Sequence, residues 1–333
     1  LEGGRGVLEA GRVPEMRTGG RALRVSVREE TVSGGWVEKA GEILEASRVP
    51  YERSFPLSRL TSLGVGGPAD FLLRPVEVPS LAQALEALTD EGIPVVFLGA
   101  GSNLLVDDAG FRGVVTCLAD LSADPAVSGA TIRAEAGVRL PSLVSRLTRA
   151  GLSGLEWAEG VPGSVGGSVR MNAGAFQESM QGCVREVTLL DRHGRVDRRK
   201  VTSADFVYRG APFVGDRVVV DALFELTPRP PKEIEEIIRP FREHRRRTQP
   251  QGVRSSGCIW KNPPGSHAGR LIQEAGLKDT VQGGAKISEV HGNFIVNTGG
   301  ATFADVMSLA DRIRETVLKT HSVSLEMEVV VWS

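Results

Sequence analysis

Three glycine-rich segments concentrate the residues of this chain that could do chemistry on a large ligand: Gly64–Asp70 (GVGGPAD), Gly99–Val106 (GAGSNLLV) and Gly160–Ala175 (GVPGSVGGSVRMNAGA). Glycine serves where the backbone must take positive φ or approach a ligand closely, and successive amides exposed in such turns form concave sites for phosphate oxygens. Together the segments point to a large, phosphate-bearing ligand; taken singly, each could be an unrelated tight turn. The middle segment has the start of a dinucleotide fingerprint, but no third glycine follows Gly99 and Gly101 at the required spacing, and residues 104–108 run on as a strand would. A Rossmann turn is therefore excluded. Cys117, Cys183 and Cys258 form an odd set without metal-ligand spacing, which reads as reduced thiols and predicts no metal site.

The elements that must position these residues are legible from periodicity. A helix is expected near Trp36–Ala46. From Phe71 the pattern is β-α-β: a strand at 71–74, Ser80 as N-cap, Leu81, Ala84, Leu85 and Leu88 on one helical face, a stop at Gly92, and a strand at 95–98. A second region offers a strand at 131–136, a helix carrying Leu140, Leu143, Val144 and Leu147, a hairpin turning at His193–Gly194, and a strand at 218–226. After the proline-rich stretch 227–231, Ile234, Ile237, Ile238 and Phe241 predict a helix that ends in the basic run Arg242–Arg247. A third region then follows, with a helix around Leu271, Ile272 and Ala275, a strand at 294–297, a helix bearing Phe303, Met307, Ala310 and Ile313, and a last strand at 325–332.

Length and composition bound the rest. A chain of 333 residues, 41% hydrophobic, is expected to form two or three domains. Its net charge of −1 argues against a nucleic-acid-coating protein. No apolar run approaches the roughly 18 residues that span a bilayer, and the first twenty residues carry no secretory-type segment, so a cytoplasmic protein without a membrane partner is expected.

Six segments in order carry a resemblance: TSLGVGGPAD at 61–70, GAGSNLLVDDAGFRG at 99–113, GVPGSVGGSVRMNAGA, FVYR at 206–209, SSGCIWKNP at 255–263 and LEMEV at 325–329. Together they resemble the UDP-N-acetylenolpyruvoylglucosamine reductases, over the chain from near Arg53 to its end. The resemblance implies an α+β, FAD-binding fold of the vanillyl-alcohol-oxidase (PCMH) type. It divides the chain into an extension at 1–50, expected to be mobile, a first flavin subdomain at 51–118 joined by the strand 322–333, a second at 119–228, and a substrate domain at 229–321. The short connection between Glu225 and Arg239 is similar to the family's second type, which lacks a tyrosine-bearing lid. Implied with it are a non-covalently held FAD, NADPH as reductant, and reduction of UDP-N-acetylglucosamine enolpyruvate to UDP-N-acetylmuramate for bacterial peptidoglycan. A monomer is favoured. The alternatives are an FAD-dependent oxidase or dehydrogenase of another hydroxy compound and a non-catalytic flavin or UDP-sugar binder.

The resemblance also assigns roles. Cys258 stands where most members place a serine that protonates C2 of the substrate; a thiol with an ordinary pKa of about 8.5 is protonated at neutral pH and is a better acid than an alcohol. From composition alone, Cys258 could be a buried structural residue. Arg209 is expected to bind the substrate carboxylate through a bidentate fork, and Glu328 to assist it, against a reading as a solvated carboxylate. For FAD the resemblance implies Gly64, Gly66 and Gly67; Gly99, Ala100, Gly101, Ser102, Asn103 and Leu104; and Gly163, Ser164, Gly166, Gly167 and Asn172. Tyr208, Lys261, Asn262 and Arg246 are expected on the substrate. For the run Arg245–Arg247, diphosphate binding and a solvated helix end stand as equal alternatives. Departures from the family pattern are Leu60 for asparagine, Phe176–Gln177 for Tyr–Gly, and Cys258 itself.

Overall fold

The computed structural model describes residues 17–19, 21–25 and 35–333. Its first layer is a four-stranded sheet ordered Tyr51–Pro56, Pro68–Leu73, Phe111–Cys117 and Val95–Leu98. The first pair is antiparallel and the other two ladders are parallel. Helix α2 (Val78–Asp90) crosses between the parallel strands and buries Leu81, Ala84, Leu85 and Leu88, the face its spacing predicts. Its N-cap is Glu77 rather than Ser80, because Pro79, which lacks an amide hydrogen, fits the first turn of a helix. Helix α1 (Trp36–Ser47) packs on the same core, with Ala40 and Leu44 fully buried. The expected mobile extension is therefore corrected for these residues: an apolar face that finds a partner becomes core. Residues 1–16, 20 and 26–34 lie outside the described residues.

The second layer is a five-stranded antiparallel sheet ordered Val196–Lys200, Val184–Leu190, Val218–Glu225, Thr131–Glu135 and Ala126–Ser128. Helix α3 (Leu140–Ala150) buries its four periodic apolar residues against it. The short helix α4 (Val165–Arg170) also lies on this sheet, and closely: a Cβ on Gly166 would sit 2.8 Å from the Ala136 side chain. Helix α5 (Pro231–Thr248), expected to open the substrate domain, instead buries Ile234 and Ile238 in this second core.

The third layer pairs Arg254–Cys258, Phe294–Asn297, Ala285–Ile287 and Val281–Gln282 in an antiparallel sheet, covered by α6 (Ala268–Glu274) and α7 (Phe303–His321). Thr302 and Asp305 close a reciprocal cap at the start of α7, satisfying two end amides. Leu63, Val65, Leu105, Val329 and Val331 enter the same core. A short parallel ladder joins Leu104–Val106 to Val330–Trp332, and Arg21–Val25 adds alongside. The last strand is thus shorter than the predicted 325–332, although a single bridge from Met327 to Trp260 continues the pairing.

Candidate active site

A cavity of about 750 Å³ opens where the three layers meet. The glycine segment that begins at Gly99 leaves strand Val95–Leu98 and lines the cavity from Gly99 to Leu104. Gly101 could be no other residue: its φ is +65°, and an added Cβ would lie 1.9 Å from the Leu60 carbonyl oxygen. The segment that begins at Gly160 lines the facing wall through Gly163, Ser164, Gly166 and Gly167. The two turns almost touch, since a Cβ on Gly99 would come within 2.8 Å of Ser164 Oγ. Ser102 Oγ donates to the Pro162 carbonyl at 3.4 Å and joins them further.

The other wall carries side-chain chemistry. Between Ser255 and Cys258 the ladder to Val296 and Phe294 shifts register, with Gly257 at φ +78°. A strand bulged in this way loses its strict alternation. All four residues from Ser255 to Cys258 therefore face the cavity. Beside them the Glu328 amide donates to the Ile259 carbonyl at 2.8 Å, and the Glu328 carbonyl accepts from Asn103 Nδ2 at 3.1 Å. These two bonds fix Glu328 next to Cys258. Arg209 reaches the same place from a tight turn in which Val207 and Gly210 exchange both backbone hydrogen bonds, at 3.0 and 3.1 Å. Its own φ is +56°, an uncommon conformation for a residue with a side chain and one that clusters at functional sites.

Arg209 Nε lies 2.7 Å from Glu328 Oε1, an ion pair whose N–H is not aligned as a hydrogen bond, and Nη1 donates to the Gly174 carbonyl at 3.1 Å. Burial raises the Glu328 carboxyl above the ordinary carboxylate range, with Arg209 and Lys261 opposing. Burial, reinforced by Glu328, pushes the Cys258 thiol up to about 12, while Arg209, Arg245 and the Asn293 side chain pull the other way. The sulfur is thus a thiol at neutral pH, held among cations that favour its anion.

The hydrogen bonds of the loop decide whether these walls suit a dinucleotide. Among the described residues, the amides of Ala100, Gly101 and Ser102 donate to no backbone or side-chain acceptor, although the loop is pinned on both sides. Such a row of unspent donors, lined by glycines, suits the oxygens of a pyrophosphate.

Residues 69–198 match the family of FAD binding domains, and residues 249–332 match the C-terminal domain of UDP-N-acetylenolpyruvoylglucosamine reductase. A relative of that name in Symbiobacterium thermophilum is 42% identical over 84% of this chain and 91% of its own length. Another, in Carboxydothermus hydrogenoformans, is 40% identical over 87% and 96%. The crystal structure of the reductase from Thermus caldophilus is similar with a TM-score of 0.74, at 37% identity, over 86% of this chain and 99% of that one. This chain belongs to the UDP-N-acetylenolpyruvoylglucosamine reductase family. Its flavin-binding part is of the α+β kind that the sequence resemblance implied.

Within that family's motifs, the structure brings together Cys258, Arg209, Glu328, the segment Gly99–Leu104 and the four residues Gly163, Ser164, Gly166 and Gly167. Others expected at the site do not line the cavity. The turn containing Gly64, Gly66 and Gly67 packs against protein: a Cβ on Gly67 would overlap the Asp108 carbonyl at 2.1 Å. Asn172 is buried, and its side chain bonds Gln181 and the Val207 carbonyl rather than facing a ligand. Tyr208 is 57% exposed, with its ring beside the Arg209 guanidinium. Lys261 Nζ pairs with Glu326 at 2.5 Å, and Asn262 Oδ1 accepts from the amide of Ala268 at 3.0 Å, capping α6. Arg246 is exposed on the outer side of α5; Arg245 lines the cavity instead. The signal for this was present, because Ile234, Ile238, Phe241 and Arg245 follow one another at helical spacing on the inward face. Missed altogether were Asn293, beside the Cys258 sulfur, and Arg170 and Arg192, which line the far end of the cavity.

Proposed function

We propose that this chain reduces the enolpyruvyl ether of UDP-N-acetylglucosamine to the lactyl ether of UDP-N-acetylmuramate with NADPH, in the bacterial cytoplasm, with Cys258, Arg209 and Glu328 as its catalytic residues. The observation that carries this reading is the convergence of those three side chains on one cavity with the two glycine turns. The segment Gly99–Leu104 with Gly163, Ser164, Gly166 and Gly167 would hold FAD, which would supply the hydride chemistry between NADPH and the substrate alkene. The protein must supply the proton and stabilise the negative charge that develops beside the substrate carboxylate.

Cys258 is suited to the proton. Its S–H bond breaks as the new C–H bond forms at C2, leaving a thiolate that is later reprotonated from solvent. Burial keeps the thiol protonated beforehand, while Arg209 and Arg245 stabilise the sulfur anion left behind. Arg209 is suited to the carboxylate, but with less than a free fork: Nε is occupied by Glu328 and Nη1 by Gly174. The remaining terminal nitrogen is open to substrate, and Nε joins it only when Glu328 lets go. Glu328 then orients the guanidinium and sets how much positive charge reaches the substrate. Arg245, at the inner end of the basic run, is placed to meet phosphate oxygens.

Anaerobic stopped-flow tests the proposal. NADPH should bleach the bound flavin, and subsequent mixing with UDP-N-acetylglucosamine enolpyruvate should restore its colour with formation of UDP-N-acetylmuramate. Bleaching that the enolpyruvyl compound cannot reverse would contradict the substrate assignment.

A further inference from the structure

Arg209 sits on a two-residue turn that would need a glycine to be relaxed, so something else must hold it. The Asn172 side chain does so from beneath. It is 4% exposed, and its Nδ2 donates to the Val207 carbonyl at 3.0 Å and faces Gln181 Oε1 at 3.3 Å, while its Oδ1 accepts the Gln181 amide at 3.1 Å. Its backbone has φ +40°, in the region where asparagine is enriched among residues other than glycine. Asn172 also follows α4, whose first residues line the cavity beside the glycine turn.

We propose that Asn172 is a positioning residue for Arg209: it clamps the Val207–Gly210 turn to the glycine segment 160–175 and acts on the substrate through the guanidinium, without touching the cofactor. The Val207 carbonyl it holds is also the acceptor for the Gly210 amide, so one bond fixes the hinge of the whole turn. Arg209 Nη1 meets Gly174, two residues after Asn172, which closes a ring of contacts around the turn. The inference rests on the reductase reading for its kinetic consequence, but not for its structural one.

Asn172→Asp tests it, because the aspartate keeps the acceptor for Gln181 and loses the donor to Val207. Asn172→Gly keeps the backbone conformation and removes the side chain. Both variants should retain cooperative unfolding and bind FAD within about twofold of the parent in a flavin fluorescence titration. Reduction by NADPH should also change by less than about twofold, while kcat/KM for the enolpyruvyl substrate falls roughly 10- to 100-fold, the size of one or two hydrogen bonds. In an Arg209→Ala background, Asn172→Asp should add less than about twofold, since two residues acting as one unit are not additive. Hydrogen exchange of the peptide containing Val207–Gly210 should accelerate in Asn172→Asp whatever the substrate proves to be. Full additivity with Arg209→Ala, an equal loss of FAD affinity, or unchanged exchange in that peptide would each overturn the proposal. If only the wild-type turnover fails, the substrate assignment is wrong and the exchange result still decides the clamp.

Discussion

At the scale of single residues, the central feature is a half-buried thiol that faces the cavity and is desolvated rather than activated. A reactive cysteine ordinarily sits exposed with a depressed pKa. Cys258 is only partly exposed, and its thiol is pushed up to about 12 chiefly by desolvation. Because only the thiolate attacks electrophiles, iodoacetamide should alkylate Cys258 at pH 8 roughly 1,000-fold more slowly than a free cysteine with an ordinary pKa near 8.5. The rate should rise about tenfold per pH unit and continue to rise beyond pH 10, which mass spectrometry of the Cys258 peptide can follow. A plateau near pH 8.5 would mean that the sulfur is solvated. The identity of this residue and of its partners Arg209 and Glu328 was legible from the order of motifs. Its environment was not, because it arises from Asn293, Arg245 and Glu328, which lie from 13 to 70 positions away along the chain.

At the scale of elements, the glycine turns are rigid parts with little tolerance. Gly101→Ala combines a left-handed backbone with an overlap against Leu60, and should cost about 2–4 kcal/mol in urea unfolding. Flavin affinity should fall with it; an unchanged denaturation midpoint would show that the loop can move aside. Sequence periodicity located α2 and α3 by their buried faces, since 3.6-residue spacing is a local signal. It did not assign α5 to its neighbour, because which core receives Ile234 and Ile238 depends on tertiary packing. Nor did it separate the two jobs of glycine. Around Gly67 the missing side chain admits the Asp108 backbone, while around Ala100–Ser102 it leaves amides open to a ligand. The Phe176–Gln177 departure has a visible cost at its second residue: Gln177 holds φ +69°, which a glycine would adopt without strain, while Phe176 stacks on Phe241 at 4.4 Å.

At the scale of the whole molecule, the site is held by contacts between layers rather than within one. The core of the third layer takes in Leu63 and Val65 from the chain around Gly64 and Val329 and Val331 from the end of the chain. Chain segments far apart in sequence therefore fix the cavity walls. Helix α1 belongs to this framework: Ala40 and Leu44 are fully buried, and Trp36 meets Phe71 edge-on at 6.4 Å. Deleting residues 1–47 should lower the melting temperature by about 5–10 °C, on roughly 2 kcal/mol or more for each large apolar side chain left exposed. A melting temperature within about 1 °C of the parent would place the helix outside the stable core. The helix itself was legible from its spacing, whereas its docking on the first core was not, because that depends on tertiary contacts such as Trp36 with Phe71.

The most direct measurement is the reoxidation of NADPH-reduced Cys258→Ala by the enolpyruvyl substrate, followed anaerobically at the flavin absorbance beside the parent and Cys258→Ser. Reduction by NADPH should be nearly unchanged in all three; reoxidation should slow by about 100- to 10,000-fold in the alanine variant and recover substantially in the serine variant. Equal slowing of both half-reactions in Cys258→Ala, or reoxidation at the parent's rate, would contradict the assignment of this thiol as the proton donor.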